Sequence, residues 1–103
     1  MSNEPRHTIV VALEVTDADT YERYRTGMRP ILAEFGGRFD WDFRGGEVLT
    51  SPDAPEVNRV FALSFPDRAQ RVAFFADPGY VEVRKEFFDA SVAQVHIVTE
   101  PSD

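Results

Sequence analysis

The chain has 103 residues and a formal net charge of -7, so it is long enough for one hydrophobic core but not for two. The acidic excess argues against a nucleic-acid-binding protein, which needs clustered cations to neutralise phosphates. There is no Cys, which excludes disulfides and thiolate nucleophiles. No apolar run reaches the length of a signal peptide or membrane span. We therefore expect a single domain over residues 1–103, in the cytoplasm and away from membranes.

The first part of the chain predicts a strand followed by a long helix. Residues His7 to Val15 run apolar or alternate, which is typical of a central strand buried on both faces. Apolar side chains then recur at helical spacing and predict a helix over about Ala18 to Phe35. Gly27 and Pro30 interrupt this pattern and predict a kink or short break. Gly36-Gly37 predicts the end of the helix.

The next strand, predicted over Arg38 to Arg44, alternates aromatic and charged residues. With a period of two, the aromatic residues share one face of the sheet and the charged residues share the other. The aromatic set is Phe39, Trp41 and Phe43, and the charged set is Arg38, Asp40, Asp42 and Arg44. We expect the aromatic face to lie in the core and the charged face to border a partly polar cavity.

Turn and strand signals follow. Gly45-Gly46 indicates a tight turn or bulge, with a continuing or returning strand over Glu47 to Thr50. Residues 51–55 are a loop by composition. Val57 to Phe65 is predicted as a strand with its odd-numbered residues on one face.

The C-terminal part predicts two helices and a last strand. A helix opens at Pro66-Asp67, and its predicted inward positions are Ala69, Val72, Ala73 and Ala76. A short helix over Gly79 to Asp89 and a strand over Ser91 to Thr99 complete the chain. The order of elements is βαββαβ, a split βαβ arrangement.

Several short motifs carry a family resemblance. They are Thr16-Asp17, Tyr21-Glu22-Arg23-Tyr24, Pro30, Gly36-Gly37-Arg38-Phe39, Arg44-Gly45-Gly46-Glu47-Val48-Leu49, Phe65-Pro66-Asp67 and Phe75-Ala76-Asp77-Pro78-Gly79-Tyr80. In this order and spacing, over about His7 to Val98, they resemble the DUF1330 family. The run Asp40-Trp41-Asp42-Phe43 makes the second strand longer than in the commoner family pattern.

The resemblance implies an α+β, ferredoxin-like fold whose antiparallel sheets pair in a homodimer, as in the dimeric α+β barrel superfamily. That superfamily includes cofactor-free quinol monooxygenases, muconolactone isomerase and haem-containing chlorite dismutases. The resemblance carries over no catalytic residue, and we expect no cofactor. Burial also favours the homodimer, because a sheet with one helical layer needs a second cover if its other face is apolar.

The charged face of the second strand is the first candidate site. Arg44 and Arg38 could bind an anion through their fork-shaped guanidinium groups, and a desolvated Asp40 or Asp42 could act as a base. The alternative is a ladder of ion pairs within the strand or with its neighbours. We predict no metal, because no spacing motif supplies further ligands beside the two carboxylates.

His96 and the aromatic residues are the other candidates. His96 is a candidate general base, or alternatively a haem ligand, if it faces the same side as Asn58 or Asp42, and the alternative to both roles is a structural histidine. Tyr21, Tyr24, Trp41 and Tyr80 could line an aromatic pocket, with the tyrosines supplying its hydroxyl groups, the alternative being the core and an interface.

Two functions are therefore open. The first is a metal-free enzyme acting on a small aromatic or carboxylate-bearing molecule in a cavity at the sheet face, between subunits. In that enzyme Asp40, Asp42 or His96 would handle protons and Arg44 the anion. The second is a non-catalytic dimeric ligand-binding or structural module, in which the charges form an interface ladder.

Overall fold

The computed structural model describes residues 6–45, 49–50 and 56–101. Its strands are β1 (His7–Val15), β2 (Arg38–Arg44), β3 (Arg59–Phe65) and β4 (Val92–Thr99). Its helices are α1 (Ala18–Glu34), α2 (Arg68–Ala76) and α3 (Pro78–Val83), and α3 continues through a π-helical turn (Arg84–Phe88) into a last turn, α4 (Asp89–Ser91). The strands form one antiparallel sheet in the order β2-β3-β1-β4.

The helices cover one face of this sheet, and the core lies between them. Alternate residues of β1 and β3 point into the core, and α1 supplies the opposite wall. The buried cluster includes Ile9, Val11, Leu13, Tyr21, Tyr24, Met28, Leu32, Phe61, Leu63 and Phe65. The predicted central position of β1 is confirmed, and the odd-numbered residues of β3 share one face as predicted, the one toward the helices. This arrangement is the ferredoxin-like α+β fold.

The end of α1 follows from Gly36-Gly37, as predicted. Gly36 has a φ of +72°, a left-handed conformation that glycine adopts without steric cost. Its N–H donates to Ala33 O, and the N–H of Gly37 donates to Leu32 O at 2.9 Å. This pair of bonds is a Schellman cap. The predicted break is not found, because α1 continues through Pro30.

A β-bulge in β2 changes the expected faces of that strand. Phe39 pairs with Leu63 and Trp41 pairs with Ala62, so Asp40 has no partner of its own in β3. A bulge inserts one extra residue, which shifts the period-two pattern by one position beyond it.

The prediction that the aromatic residues of β2 share the core face is therefore wrong. Trp41 and Phe43 face away from the helices, with 39% and 63% of their surface exposed. Asp42 and Arg44 pair with residues of β3 that face the helices, whereas Arg38 lies on the opposite face. The four charged residues do not share one face either.

The orientation of α2 also differs from the prediction. Asp67 caps the helix by accepting the N–H of Gln70 at 2.9 Å, and Phe74 is buried with Phe75 packed beside it. The four predicted inward positions are all exposed: Ala69, Val72, Ala73 and Ala76. Two phenylalanines bury far more apolar area than a stripe of small residues, and they decide which side packs.

The remaining predictions concern the chain between β2 and β3. Residues 46–48 and the predicted loop over 51–55 lie outside the described residues. Leu49 and Thr50 are described and belong to no strand, so that part of the predicted strand over 47–50 is wrong. In the described ranges, no helix combines the length and the hydropathy needed to cross a membrane.

Candidate functional site

Asp42 lies in a cluster of charges that joins β2 and β3 to α1. Its carboxylate accepts hydrogen bonds from Arg59 Nε and Nη2 at 2.8 and 2.9 Å, and Arg25 Nη2 lies 3.0 Å away. Burial alone would raise the pKa of Asp42, but the hydrogen bonds and charge of Arg59, together with Arg25, hold it below its usual value. A carboxylate stabilised in its ionised form is a weak base. The arrangement matches the ion-pair alternative.

Asp40 lies on the opposite face of the sheet in a second polar group. It accepts hydrogen bonds from Arg38 Nε at 2.8 Å and from Ser64 Oγ at 3.0 Å, and Arg6 Nε donates to Ser64 Oγ. Burial raises the pKa of Asp40, and the bonds from Arg38 and Ser64 outweigh that effect, so its pKa is lowered. These charges also pair with one another.

Two of the predicted ligand-binding residues lie at the end of the sheet where β2 stops. Arg44 is exposed beside Arg59. The side-chain amide of Asn58 accepts from Val15 N and donates to Val15 O, both at 2.8 Å. Asn58 therefore extends the sheet as a backbone-like partner of β1, and its polar atoms are already used.

His96 is not brought together with Asp42. His96 lies in the edge strand β4, where it pairs with Ala12 on the face away from the helices. Asp42 lies in β2, at the opposite edge of the sheet, and faces the helices. Trp41 also lies on the face away from the helices. The proposed roles of these residues in catalysis and binding stay predictions, and no shared site among them supports those roles.

A cavity of about 260 Å³ lies on the helical side of the sheet, between the helices and strands β1, β3 and β4. Its wall is mostly apolar and includes Leu13, Met28, Phe61, Phe75, Phe88, Val95 and Ile97. Val95 and Ile97 are about half exposed, so the cavity opens between β4 and the helix that begins at α3. Of the four residues predicted to line an aromatic pocket, Tyr21, Tyr24 and Tyr80 line this cavity and Trp41 does not.

Two tyrosine hydroxyls form a hydrogen-bonded pair in the cavity wall. Tyr24 Oη and Tyr80 Oη are 2.9 Å apart, and both residues are buried. The Phe88 ring lies 4.9 Å from that of Tyr24, between ring centres, and fixes it by packing. Burial raises the pKa of both hydroxyls, so each remains protonated and able to donate a hydrogen bond at neutral pH.

Arginine supplies the charge at the cavity opening. Arg84 lines the cavity, its side chain is half exposed, and its nearest carboxylate, Asp89, is 3.9 Å away. Arg71 also lines the cavity, but its guanidinium already contacts Glu100 at 2.7 Å and His7 Nε2 at 3.0 Å. Among the described lining residues there is no Asp, Glu or His. The cavity therefore presents hydrogen-bond donors and positive charge.

Sequence reasoning missed Arg84, although a signal for it exists. Tyr80, Arg84 and Phe88 follow one another at intervals of four residues, which places them along one side of a helix. Val95 and Ile97 of β4 were not predicted either, because the alternation of residues along a strand does not show which of its faces borders a cavity. In the part of the chain that the structure describes, no three His, Asp or Glu side chains come together as a metal site.

The fold is shared by several solved structures. A protein of unknown function from Rhodopseudomonas palustris, RPA0582, is 20% identical with a TM-score of 0.80, and the match covers 98% of this chain and 85% of that one. A dabb family protein with a ferredoxin-like fold from Mesorhizobium loti is 17% identical with a TM-score of 0.65, covering 97% and 100%.

A third similar structure carries an enzyme name. It is a proposed antibiotic biosynthesis monooxygenase from Nitrosomonas europaea, 18% identical with a TM-score of 0.57, covering 99% of this chain and 95% of that one. At these identities the similarity shows the fold alone.

The sequence itself defines the family. The chain belongs to the family described as "Domain of unknown function (DUF1330)", whose model matches residues 8–101. This confirms the resemblance found in the short motifs. No curated protein matches the sequence at a significant level.

Proposed function

We propose that this protein binds a small, mostly apolar molecule with one anionic group, in the cavity between the helices and the sheet. The observation that carries the proposal is an apolar cavity whose described wall holds tyrosine hydroxyls and the arginines Arg71 and Arg84 but no carboxylate. Binding sites for small molecules typically combine an apolar wall with a few converging polar groups. The cavity lies on the opposite side of the sheet from the predicted one.

The volume limits the size of the ligand. An apolar cavity of roughly 150 Å³ holds benzene, and sites for drug-sized ligands span about 300–1,000 Å³. At about 260 Å³, the cavity suits one ring with one or two substituents. An aromatic ring would meet Phe75, Phe88 and Tyr80, whose faces and edges favour aromatic partners.

The charge of the wall selects the substituent. A guanidinium binds a carboxylate through two parallel hydrogen bonds, and Arg84 is less engaged by protein carboxylates than Arg71. A cationic ligand would be desolvated without a counter-charge in the wall. A ring carboxylate therefore fits. It belongs to the class of small aromatic or carboxylate-bearing molecules expected from the sequence.

A titration with ring carboxylates tests the proposal. Benzoate, phenylacetate and cyclohexanecarboxylate would be titrated into the protein by calorimetry, with the variants Arg84→Gln and Arg23→Gln. Arg23 is exposed on α1 and is absent from the cavity wall, so its variant controls for the loss of one positive charge. We expect binding to weaken about ten-fold or more in Arg84→Gln alone, because a charge-assisted pair is lost. Absence of binding by all three probes, or equal affinity in both variants, contradicts the proposal.

A second proposal concerns the face of the sheet away from the helices, which we expect to pair with the same face of another copy. The exposed Trp41 and Phe43 lie there. Small residues, Ala12 and Ala62, occupy the central strands on the same face, which allows another sheet to approach closely. A homodimer would cover these rings, and it is compatible with ligand binding on the helical side.

A further inference from the structure

The hydroxyl pair of Tyr24 and Tyr80 has one more donor than its mutual hydrogen bond uses. Each hydroxyl carries one hydrogen, and the contact of 2.9 Å between the two oxygens consumes one of the two. No bond from the pair to another described residue takes up the second hydrogen. Buried donors in native proteins nearly always have an acceptor. Both tyrosines line the cavity, so an occupant of the cavity can supply this acceptor.

We infer that the Tyr24–Tyr80 pair recognises a hydrogen-bond acceptor on the ligand, so that the ligand is a ring carboxylate with a second oxygen substituent. This inference rests on the proposed function, since it concerns the same cavity. The carboxylate contacts Arg84, and a hydroxyl or carbonyl oxygen on the ring accepts the spare hydrogen of the pair. The pair is a specificity determinant, because it favours this ligand over one of the same shape that lacks the oxygen.

The pair is better suited to this role than Tyr21, the third tyrosine in the cavity wall. The mutual hydrogen bond and the packing of Phe88 against Tyr24 fix both hydroxyls before a ligand arrives. A donor that is already oriented loses little entropy on binding. No hydrogen bond to a described residue holds the hydroxyl of Tyr21, whose ring instead lies under the guanidinium of Arg59.

The protonation of the pair is consistent with donation. Burial raises the pKa of Tyr24 and of Tyr80, so neither hydroxyl ionises near neutral pH. The positive charge of Arg84 opposes this effect at both tyrosines without reversing it. Arg84 and Tyr80 are four residues apart on one side of the helix and both line the cavity, so one small ligand can contact both.

The test compares ligands that differ by one oxygen. The 2-, 3- and 4-hydroxybenzoates would each be titrated against the methylbenzoate with the substituent at the same position, since hydroxyl and methyl groups have similar size. In the wild-type protein we expect the hydroxyl compound to bind about ten-fold tighter at one position at least, because a donor left without an acceptor in the cavity opposes binding.

Three variants assign the preference to the pair. In the double variant Tyr24→Phe/Tyr80→Phe, we expect the preference to fall to within about two-fold, with methylbenzoate affinity retained, because removing both partners of a hydrogen bond leaves no unsatisfied group. In Tyr21→Phe, which loses a hydroxyl elsewhere in the same wall, we expect the preference to persist. In Val72→Ala, an apolar change outside the cavity wall, it should also persist. Thermal unfolding of each variant would show that the fold is retained.

The outcomes separate this inference from the proposed function. One outcome is that both series bind in an Arg84-dependent way and that each methylbenzoate binds as tightly as the matching hydroxybenzoate. In that case the inference is wrong and the proposed function stands. A preference that survives the double variant, or that disappears in Tyr21→Phe, also overturns the inference. If neither series binds the wild-type protein, both fall together. Should the double variant unfold, Tyr24→Phe and Tyr80→Phe would be measured singly, and a preference unchanged in both would overturn the inference.

Discussion

Asp42 shows how the surroundings of a single residue decide its role. Its position in a charged strand suggested a base, but the guanidinium groups of Arg59 and Arg25 bind it and lower its pKa. The Cζ of Arg59 lies 5.0 Å from the centre of the Tyr21 ring, and that of Arg25 lies 5.1 Å from the centre of the Phe39 ring. Asp42 thus connects the edge strand β2 to α1. In this arrangement it holds two arginines in place.

Replacing Asp42 by Asn should destabilise the protein strongly. The side chains of Arg59 and Arg25 are only 10% and 14% exposed, so removing the carboxylate leaves two nearly buried positive charges with the half-exposed Glu22, 3.5 and 3.4 Å away, as their remaining counter-charge. We expect a loss of about 2–3 kcal/mol in the free energy of unfolding, measured by urea denaturation. Asp40→Asn is the control, because its partner Arg38 is 62% exposed and an exposed pair contributes about 0–1 kcal/mol. Equal losses in the two variants would contradict this account of Asp42.

The same variant should change the response of stability to acid. The folded-state pKa of Asp42 lies below its ordinary value, so its contribution is complete above about pH 4 and is lost as the pH falls through the folded-state pKa. We expect the difference in stability between wild type and Asp42→Asn to narrow below about pH 4. A difference that stays constant between pH 3 and pH 7 would show that the charge of Asp42 does not matter.

The elements show what the sequence could predict and what it could not. Helical periodicity and the Gly36-Gly37 pair were enough to define α1. The apolar run of β1 was enough to predict its central place. The faces of β2 could not be predicted, because the bulge at Asp40 depends on pairing with β3. No residue type in the strand itself indicates it.

The candidate site was predicted less well, because it too depends on contacts between segments that are distant in the sequence. Its residues come from all four strands, from α1 and α2, and from the helix that begins at α3, and the apolar ones look like ordinary core in their own segments. The three tyrosines were identified by their residue type, whereas Arg84 was not, since a lone arginine on a short helix resembles a surface residue. Only packing brings these side chains around one space.

Gly36 provides a test of how α1 ends. An added Cβ there would meet Pro66 Cγ at 2.7 Å, and its φ is +72°, so Gly36→Ala combines backbone strain with a clash. Gly45→Ala is the matched control, with a φ of +88° and no described atom within 4 Å of the added Cβ. We expect Gly36→Ala to lower the free energy of unfolding by about 1 kcal/mol or more beyond the control. Similar losses in thermal unfolding would mean that Pro66 moves away freely.

At the scale of the whole molecule, the sheet separates two surfaces with different chemistry. The helical side encloses an apolar cavity with donors and positive charge, and the other side exposes aromatic rings. The positive charge at the cavity is a local exception in a chain with a net charge of -7, because Arg84 lines the proposed ligand site. We expect one side to bind a ligand and the other to bind a second copy.

Removing the exposed rings should abolish the proposed homodimer. We expect the wild type to sediment as a dimer at micromolar concentration and Trp41→Gln/Phe43→Gln to sediment as a monomer, because the buried apolar area is lost. Val72→Gln is the control, since Val72 is 53% exposed on α2, on the helical side of the sheet. A wild-type monomer, or a double variant that still sediments as a dimer, would contradict a dimer through the sheet.

Ligand binding in the cavity is the central claim, and a methyl NMR titration with benzoate measures it most directly. We predict that the methyl signals of Val95, Ile97 and Leu13, which line the cavity, shift in a saturable way, while that of Val72 stays constant. Val72 has a similar exposure to Ile97 but does not line the cavity, so it reports non-specific effects. Shifts confined to Val72 and other residues outside the cavity, or no shift at saturating benzoate, would show that the cavity is not the binding site.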